Sequence, residues 1–207
     1  MFEMGNIPLG VDSGLQLTVP AGAIIGLGRH ARVGKDTLAR YLVENHGYTR
    51  IAFADSLREV APLLDLDLAR RLRDHGGDWE AAKVGDPYVR AALQRIGEAV
   101  RQATGEDVWV RALARKLRPG ELYVIPDVRY RSEARFVQRS GGLLVEVRRP
   151  GFGPAGDHRS EHDLDDWARW DAVVQNADGP GRLAEAASWL AARAARGPVE
   201  AALQASR

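Results

Sequence analysis

Short apolar runs alternate along the chain with longer segments in which apolar residues recur every three or four positions. The run 21–27 precedes a glycine-rich loop and predicts a buried strand, and the segment 35–47 predicts a helix that ends at Gly47. Later runs predict further strands, at 48–53, 121–127, 143–149 and 170–176. Because strands that alternate with helices form parallel sheets, the pattern predicts an α/β fold with a five-stranded parallel sheet and helices on both faces.

Most of the chain between the second and third predicted strands has helical periodicity. We expect a helix over 54–73 with a kink at Pro62, then a glycine loop at 74–80 that contains Trp79. A second helix is expected to start at Pro87, with Asp86 as its N-cap. Further helices are predicted at 106–120, 131–142 and 181–196.

The composition is that of a water-soluble globular protein. Of 207 residues, 45% are hydrophobic and 28% charged, and the formal net charge of +1 gives no reason to expect nucleic acid or a membrane as a partner. The absence of cysteine and of a secretory signal predicts a cytoplasmic location. We predict one domain over 21–196 with a helical insertion at about 54–118, an extension at 1–20 and a tail at 197–207.

The loop after the first predicted strand, GLGRHARVGKDT at 26–37, matches two nucleotide-binding motifs. Gly26, Gly28 and Ala31 fit the dinucleotide fingerprint G-x-G-x-x-G/A, which predicts a nicotinamide or flavin enzyme. Gly34 and Lys35, followed by aspartate and threonine, fit the end of a phosphate-binding P-loop, which predicts a nucleotide-dependent phosphotransferase. The two interpretations differ in where the next helix begins.

The position of Gly34 favours the P-loop. In a dinucleotide fold the helix would begin near Arg29, and Gly34 would lie inside it at a cost of about 1 kcal/mol relative to alanine. In a P-loop, residues 28–34 stay open and the helix begins at Lys35, so that main-chain N–H groups turn towards a phosphate. Lys35 would then reach the outer phosphates, and the hydroxyl of Thr37 would approach Mg²⁺. Arg29 occupies the place of the motif's first glycine.

Charged residues expected at the carboxyl edge of the sheet bear on the same choice. Asp55 follows the second predicted strand, where a dinucleotide fold needs an acid for the ribose, so it fits both interpretations. Asp127 ends the third predicted strand, a position that predicts a carboxylate that binds Mg²⁺ or its waters. Arginines lie in or beside loops of this edge, at 129, 148, 149 and 159. Transfer of a phosphoryl group requires such cations and transfer of a hydride does not, so we favour a phosphotransferase.

The chain also resembles a known family. It carries in order the blocks GLGRHARVGKDTLARYL, FADSLRE, WEAAK, LQRIGEAVRQ, VWVRAL, VIPDVRYRSEARFVQRSGG, VEVRRPG, DHRSE and DAVVQN. From about residue 22 to 195 it is similar to the bacteriophage and bacterial deoxynucleoside monophosphate kinases. The resemblance implies a P-loop NTPase fold, a three-layer αβα sandwich in which 54–118 binds the nucleoside monophosphate (NMP) and about 148–163 forms a lid. The family usually has glycine at Arg29 and often threonine at Glu98, two departures that concern nucleotide affinity and the substrate pocket.

The resemblance implies an activity and a set of site residues. The enzyme would transfer the γ-phosphoryl group of ATP, with Mg²⁺, to a deoxynucleoside monophosphate; its partners would be small nucleotides, and a homodimer is allowed. The catalytic residues would be Lys35, Asp127, Arg129 and Arg148, and the metal ligands Thr37 and Asp127. ATP would be bound by Gly28, Arg32, Val33, Gly34, Lys35, Asp36, Thr37 and Arg149. The acceptor would be bound by Asp55, Arg58, Trp79, Lys83, Arg90, Gln94, Arg101, Arg129 and Glu161.

Other functions stay open on the sequence alone. One alternative is another P-loop small-molecule kinase, similar to phosphomevalonate or dephospho-CoA kinases, that acts on an acceptor bearing a phosphate. The departures at Arg29 and Glu98 would suit a catalytically weak nucleotide sensor. A dehydrogenase is the most distant alternative.

Overall fold

In a computed structural model of the protein, residues 7–10, 16–19, 24–177 and 180–196 are described. The tail predicted at 197–207 lies outside these residues. By its contacts the chain divides into two compact units, one made of Met1–Ala52 and Ala114–Arg207 and the other of Phe53–Leu113. We call them the sheet unit and the helical unit. None of the described helices is long and apolar enough to cross a membrane.

The sheet unit contains the predicted five-stranded parallel sheet, which is thereby confirmed. Its strands run in the spatial order β4-β5-β3-β6-β7. Their bounds are Ile24–Gly28 for β3, Thr49–Arg50 for β4, Tyr123–Val128 for β5, Leu143–Arg148 for β6 and Ala172–Gln175 for β7. Near the N-terminus, β1 (Ile7–Gly10) pairs antiparallel with β2 (Gln16–Val19).

Helices cover both faces of the sheet. On one face, α1 (Lys35–His46) and α8 (Pro180–Ala195) share an apolar core with alternate residues of β3, including Ile25 and Leu27. On the opposite face lies α7 (Arg131–Arg139), which approaches so closely that a Cβ atom at Gly26 would lie 2.7 Å from the side chain of Val137. Successive residues of a strand point to opposite faces, so Ile25 and Leu27 face α1 and α8 whereas Gly26 faces α7. The sheet is therefore the middle of three layers.

The helical unit differs from the expected pattern in two places. Its helices are α2 (Phe53–Leu64), α3 (Leu66–Asp74), α4 (Trp79–Gly85), α5 (Pro87–Thr104) and most of α6 (Val108–Ala114). The helical segment predicted at 54–73 is confirmed, but the kink predicted at Pro62 is wrong, because Pro62 lies within α2. The break falls at Asp65, whose carboxylate accepts a 2.9 Å hydrogen bond from the N–H of Leu68 and caps α3. Trp79 is not in a glycine loop but begins α4, because Asp78 caps that helix. The start of α5 at Pro87 with Asp86 as N-cap is confirmed.

Candidate functional site

The loop between β3 and α1 is open, and α1 begins at Lys35, where the P-loop interpretation places the start of the helix. Three residues of the loop have left-handed backbone conformations, with φ of 86° at Arg29, 62° at Arg32 and 107° at Gly34. A Cβ atom at Gly34 would also lie 2.6 Å from the side-chain nitrogen of Asn176. Both the backbone conformation and the close approach therefore require glycine at position 34.

Lys35 is buried beneath this loop, with 5% of its surface exposed. Its ammonium group donates hydrogen bonds to the main-chain oxygens of Arg29, at 3.2 Å, and of His30. Burial, and secondarily the positive charge of Arg129, lower the pKa of Lys35 from 10.5 to about 7. Nearby carboxylates oppose this shift only in part. A group of this kind gains most from an anionic ligand, which would restore its charge.

Gly28 belongs to strand β3, so the loop begins at Arg29 without a glycine. Gly28 is the last residue of β3, and it leaves room for the ring of Trp170, which would lie 2.6 Å from a Cβ atom there. Arg29 keeps the left-handed conformation that glycine has more easily, and its guanidinium contacts Glu146 and the main-chain oxygen of Leu164. Its side chain is thus part of the protein's internal contacts.

The carboxyl end of β5 brings two further candidate residues close to Lys35. Asp127 lies within the strand, and its charge acts to raise the pKa of Lys35. Arg129 follows the strand, and its guanidinium donates a 2.7 Å hydrogen bond to Glu161, a buried residue of the predicted lid. The N–H groups of Arg129 and Tyr130 both donate to Glu133 in the first turn of α7. Arg129 is therefore held by Glu133 through its main chain and by Glu161 through its side chain.

Only part of the predicted lid at 148–163 is exposed. Residues 149–157 are exposed along their whole length. The short 3₁₀ helix Arg159–Glu161 is held to the rest of the sheet unit by the Arg129–Glu161 pair and by the N–H of Arg131, which donates 2.8 Å to Asp163. The guanidinium of Arg149 lies 4.4 Å from the ring centre of Phe152 within the exposed part.

A pocket of about 340 Å³ lies at the start of α1, on the side of α8. Its described lining includes five residues predicted to bind ATP: Arg32, Gly34, Asp36, Thr37 and Arg149. Asn176 also lines it; its side chain donates a 2.9 Å hydrogen bond to the main-chain oxygen of Val33, and its N–H donates 2.7 Å to that of Arg148. The volume is at the lower end of the usual range for small-molecule sites, which begins at about 300 Å³. A larger groove of about 490 Å³ beside β7 contains none of the predicted site residues.

Sequence reasoning overlooked Asn176 as a lining residue. It closes the block DAVVQN at the carboxyl end of β7, the edge at which ligands bind in α/β sheets, so its position was available as a signal.

Four of the candidate acceptor residues lie on α2 and α4 of the helical unit: Asp55, Arg58, Trp79 and Lys83. Arg58 of α2 pairs with Asp55 at 3.7 Å and with Glu80 at 3.1 Å, and Lys83 pairs with the same oxygen of Glu80 at 2.6 Å. Glu80 thus joins Arg58 and Lys83, and the sequence analysis had not identified it.

The three residues of α5 predicted to bind the acceptor, Arg90, Gln94 and Arg101, differ in burial. Arg90 and Gln94 are partly exposed, whereas Arg101 is 3% exposed and donates a 2.7 Å hydrogen bond to the main-chain oxygen of Glu106. Arg101 therefore fastens the turn after α5.

Among the described residues, no group of three or more histidine, cysteine, aspartate or glutamate side chains could hold a metal ion by itself. Mg²⁺ at phosphate-transfer sites is commonly held by one or two protein oxygens together with the phosphates of the substrate. The hydroxyl of Thr37 and the carboxylate of Asp127 are hard oxygen donors of the kind this arrangement uses.

Comparison with known proteins supports the family resemblance through one relative of low sequence identity. No protein-family model matches the chain. A protein of Acanthamoeba polyphaga mimivirus is 28% identical over 172 residues, which cover 74% of this chain and 88% of the viral protein. That protein is named, by inference, a deoxynucleotide monophosphate kinase. The resemblance stated from the motifs is confirmed by this relative, and the parallel sheet with helices on both faces fits such a kinase.

Proposed function

We propose that this protein is a nucleoside monophosphate kinase that transfers the γ-phosphoryl group of ATP to a deoxynucleoside monophosphate. One observation carries the proposal: the buried ammonium of Lys35 lies at the start of α1, beside a pocket lined by residues of the same loop. The viral relative, whose name includes this activity, supports it. In this proposal the pocket holds the donor nucleotide, and its phosphates extend towards Lys35.

The chemistry asked of the chain is mostly electrostatic. An oxygen of the acceptor phosphate attacks the γ-phosphorus of ATP, the bond to the bridging oxygen breaks, and ADP leaves as the diphosphate product forms. Lys35, the N–H groups of the loop and the N-terminus of α1 stabilise the negative charge of the transferred group. Arg129 and Arg148 add positive charge at the carboxyl edge of the sheet.

Thr37 and Asp127 are the residues that would hold Mg²⁺. When bound, the ion would neutralise part of the negative charge of the phosphates. Thr37 is in the first turn of α1 and Asp127 is near the end of β5, and the charge of Asp127 acts on Lys35. The chain supplies few ligands of its own, so we expect the ion to enter together with ATP.

The acceptor side of the proposal rests on the cations of the helical unit. Arg58 and Lys83 both pair with Glu80, so a monophosphate that binds them must compete with that carboxylate. We assign the same role to Arg90 and Gln94 on α5, and we propose that Arg149 in the exposed part of the lid contacts the donor nucleotide.

An acceptor panel tests the proposal. ADP release is followed with Mg²⁺-ATP and dGMP, dTMP, dCMP or dAMP, one at a time. We expect release that depends on at least one of these acceptors and is lost in Lys35→Met, whereas Lys116→Met, which changes an exposed lysine outside the site, keeps it. Absence of acceptor-dependent release with all four would contradict the proposal.

A further inference from the structure

Glu146 is a fully buried carboxylate in the middle of the parallel sheet. It lies on β6, in register with Gly28 of β3 on one side and Val173 of β7 on the other, and none of its surface is exposed. A carboxylate in such a place is costly unless positive charge compensates it. No motif in the sequence indicates a role for Glu146.

Two arginines compensate this carboxylate, one on each oxygen. Arg148, at the exposed end of the same strand, donates a 2.7 Å hydrogen bond to Oε2. The Nε atom of Arg29 lies 3.0 Å from Oε1, an ion pair that lacks the alignment of a hydrogen bond. The bond to Glu146 raises the pKa of Arg148. The carboxylate therefore holds Arg148 by a hydrogen bond and Arg29 by an ion pair.

These contacts join two parts of the candidate site that are distant in sequence. Arg29 is the first residue of the loop between β3 and α1, which we call the phosphate loop, and its left-handed backbone is unfavourable for a residue that has a side chain. Besides Glu146, its guanidinium binds the main-chain oxygens of Leu164 and Asp165, at 3.1 and 3.3 Å. Glu146 and these oxygens together hold Arg29 in the unfavourable conformation. Through the same carboxylate, the loop is connected to Arg148.

We propose that Glu146 is a positioning residue that couples the phosphate loop to Arg148. The kinetic part of this inference rests on the proposed kinase activity, whereas its structural part does not. The side chain of Arg148 is 54% exposed, so without the carboxylate its guanidinium would sample many orientations at the edge where phosphoryl transfer is proposed. Without the carboxylate, Arg29 still has its hydrogen bonds to the main-chain oxygens of Leu164 and Asp165, so the conformation of the loop should change less than the orientation of Arg148. Loss of Glu146 should therefore lower kcat more than it raises KM for ATP.

The kinetic test compares Glu146→Gln, Arg148→Ala and the double variant, with Glu44→Gln as a control at an exposed ion pair. We expect Glu146→Gln to lower kcat about tenfold, because a small misplacement of a catalytic group is costly. The double variant should have the kcat of Arg148→Ala alone. If Glu146→Gln lowers kcat by the same factor in both backgrounds, or changes only KM, Glu146 does not act through Arg148.

A thermal test is independent of the activity. Melting temperatures are measured without nucleotide for Glu146→Gln, Arg29→Ala and the double variant, since alanine removes the guanidinium without the backbone freedom of glycine; if Glu146→Gln does not fold, Glu146→Asp takes its place. We expect each single change to lower the melting temperature by a few degrees and the double change to lower it by clearly less than the sum. Additive shifts would overturn the coupling. If no acceptor supports turnover but the shifts are non-additive, the proposed function fails and the structural coupling stands.

Discussion

The ammonium group of Lys35 donates a 3.2 Å hydrogen bond to the main-chain oxygen of Arg29, the first residue of the loop that precedes its helix. The lysine thus lies under its own loop, and a second carbonyl, that of His30, accepts from the same group. Burial and the charge of Arg129 lower its pKa to about 7. Near neutral pH, Lys35 is therefore charged in only part of the molecules.

Binding of ATP should cause uptake of a proton. An anionic phosphate near Lys35 raises its pKa, so a group that is partly neutral at pH 7.5 becomes charged. Calorimetric titrations at about pH 7.5 in two buffers of different ionisation enthalpy should give different binding heats, and the difference measures the uptake. Arg50→Met, which removes an exposed cation on β4, should preserve the difference. Equal heats in both buffers for the unmodified protein would show that Lys35 is already fully charged.

Lys35 should also make the stability of the ligand-free protein depend on pH. Its folded pKa of about 7 is below the value of 10.5 for an unperturbed lysine, so between these values the unfolded chain binds more protons. Stability from this group therefore rises with pH in that window and falls as the pH drops towards 7. Urea unfolding at pH 7 and pH 9 should show that the unmodified protein gains more than Lys35→Met on going to pH 9. An equal gain in both proteins would contradict the burial of a partly neutral lysine.

Asn176 should support ATP binding through the loop. Its side chain donates to the main-chain oxygen of Val33, 143 residues earlier, and lines the pocket beside α1. Asn176→Ala removes the donor and leaves that buried oxygen without this bond, so we expect weaker ATP binding by about 1–3 kcal/mol, which calorimetry measures. Gln175→Ala changes the exposed neighbour on β7 and should bind ATP normally. Equal affinities of the two variants would show that Asn176 is not needed.

Gly34 should tolerate no side chain. A methyl group there would meet the amide nitrogen of Asn176 at 2.6 Å, and φ of 107° is unfavourable for alanine by about 1–2 kcal/mol. We expect Gly34→Ala to lower the melting temperature and to weaken ATP binding. Gly153→Ala is the matched control, because a Cβ atom at Gly153 would meet nothing within 4 Å. Normal ATP affinity in Gly34→Ala would mean that the loop adopts another conformation with nucleotide.

Local patterns were enough to predict the sheet and most of its helices. The apolar runs located the strands, and Gly47 and Asp86 marked a helix end and a helix start because their capping roles depend only on nearby residues. The break at Asp65 was not predictable in this way. Its carboxylate also accepts from the hydroxyl of Tyr88 at 2.8 Å and from Arg95 at 2.9 Å, contacts that exist only after the helices pack.

The candidate site shows the same limit. Lys35, Gly34 and Asp127 could be assigned from motifs, because a phosphate site on an α/β sheet is built from short segments at strand ends. The conformation of Arg29 could not be predicted, since it depends on Glu146 of another strand. Nothing in the local sequence distinguishes Glu146 from other charged residues within apolar runs. Asn176 likewise acts on Val33 across the sheet unit. Contacts between strand ends are formed by the fold and leave little trace in local sequence.

The proposed transfer itself is tested most directly by following the phosphoryl group. ATP labelled in the γ-phosphoryl group is mixed with Mg²⁺, the protein and each of the four acceptors used above, and the products are separated. We predict labelled deoxynucleoside diphosphate with at least one acceptor, and none with Lys35→Met. Label that appears only as inorganic phosphate, or stays in ATP with every acceptor, would contradict the account.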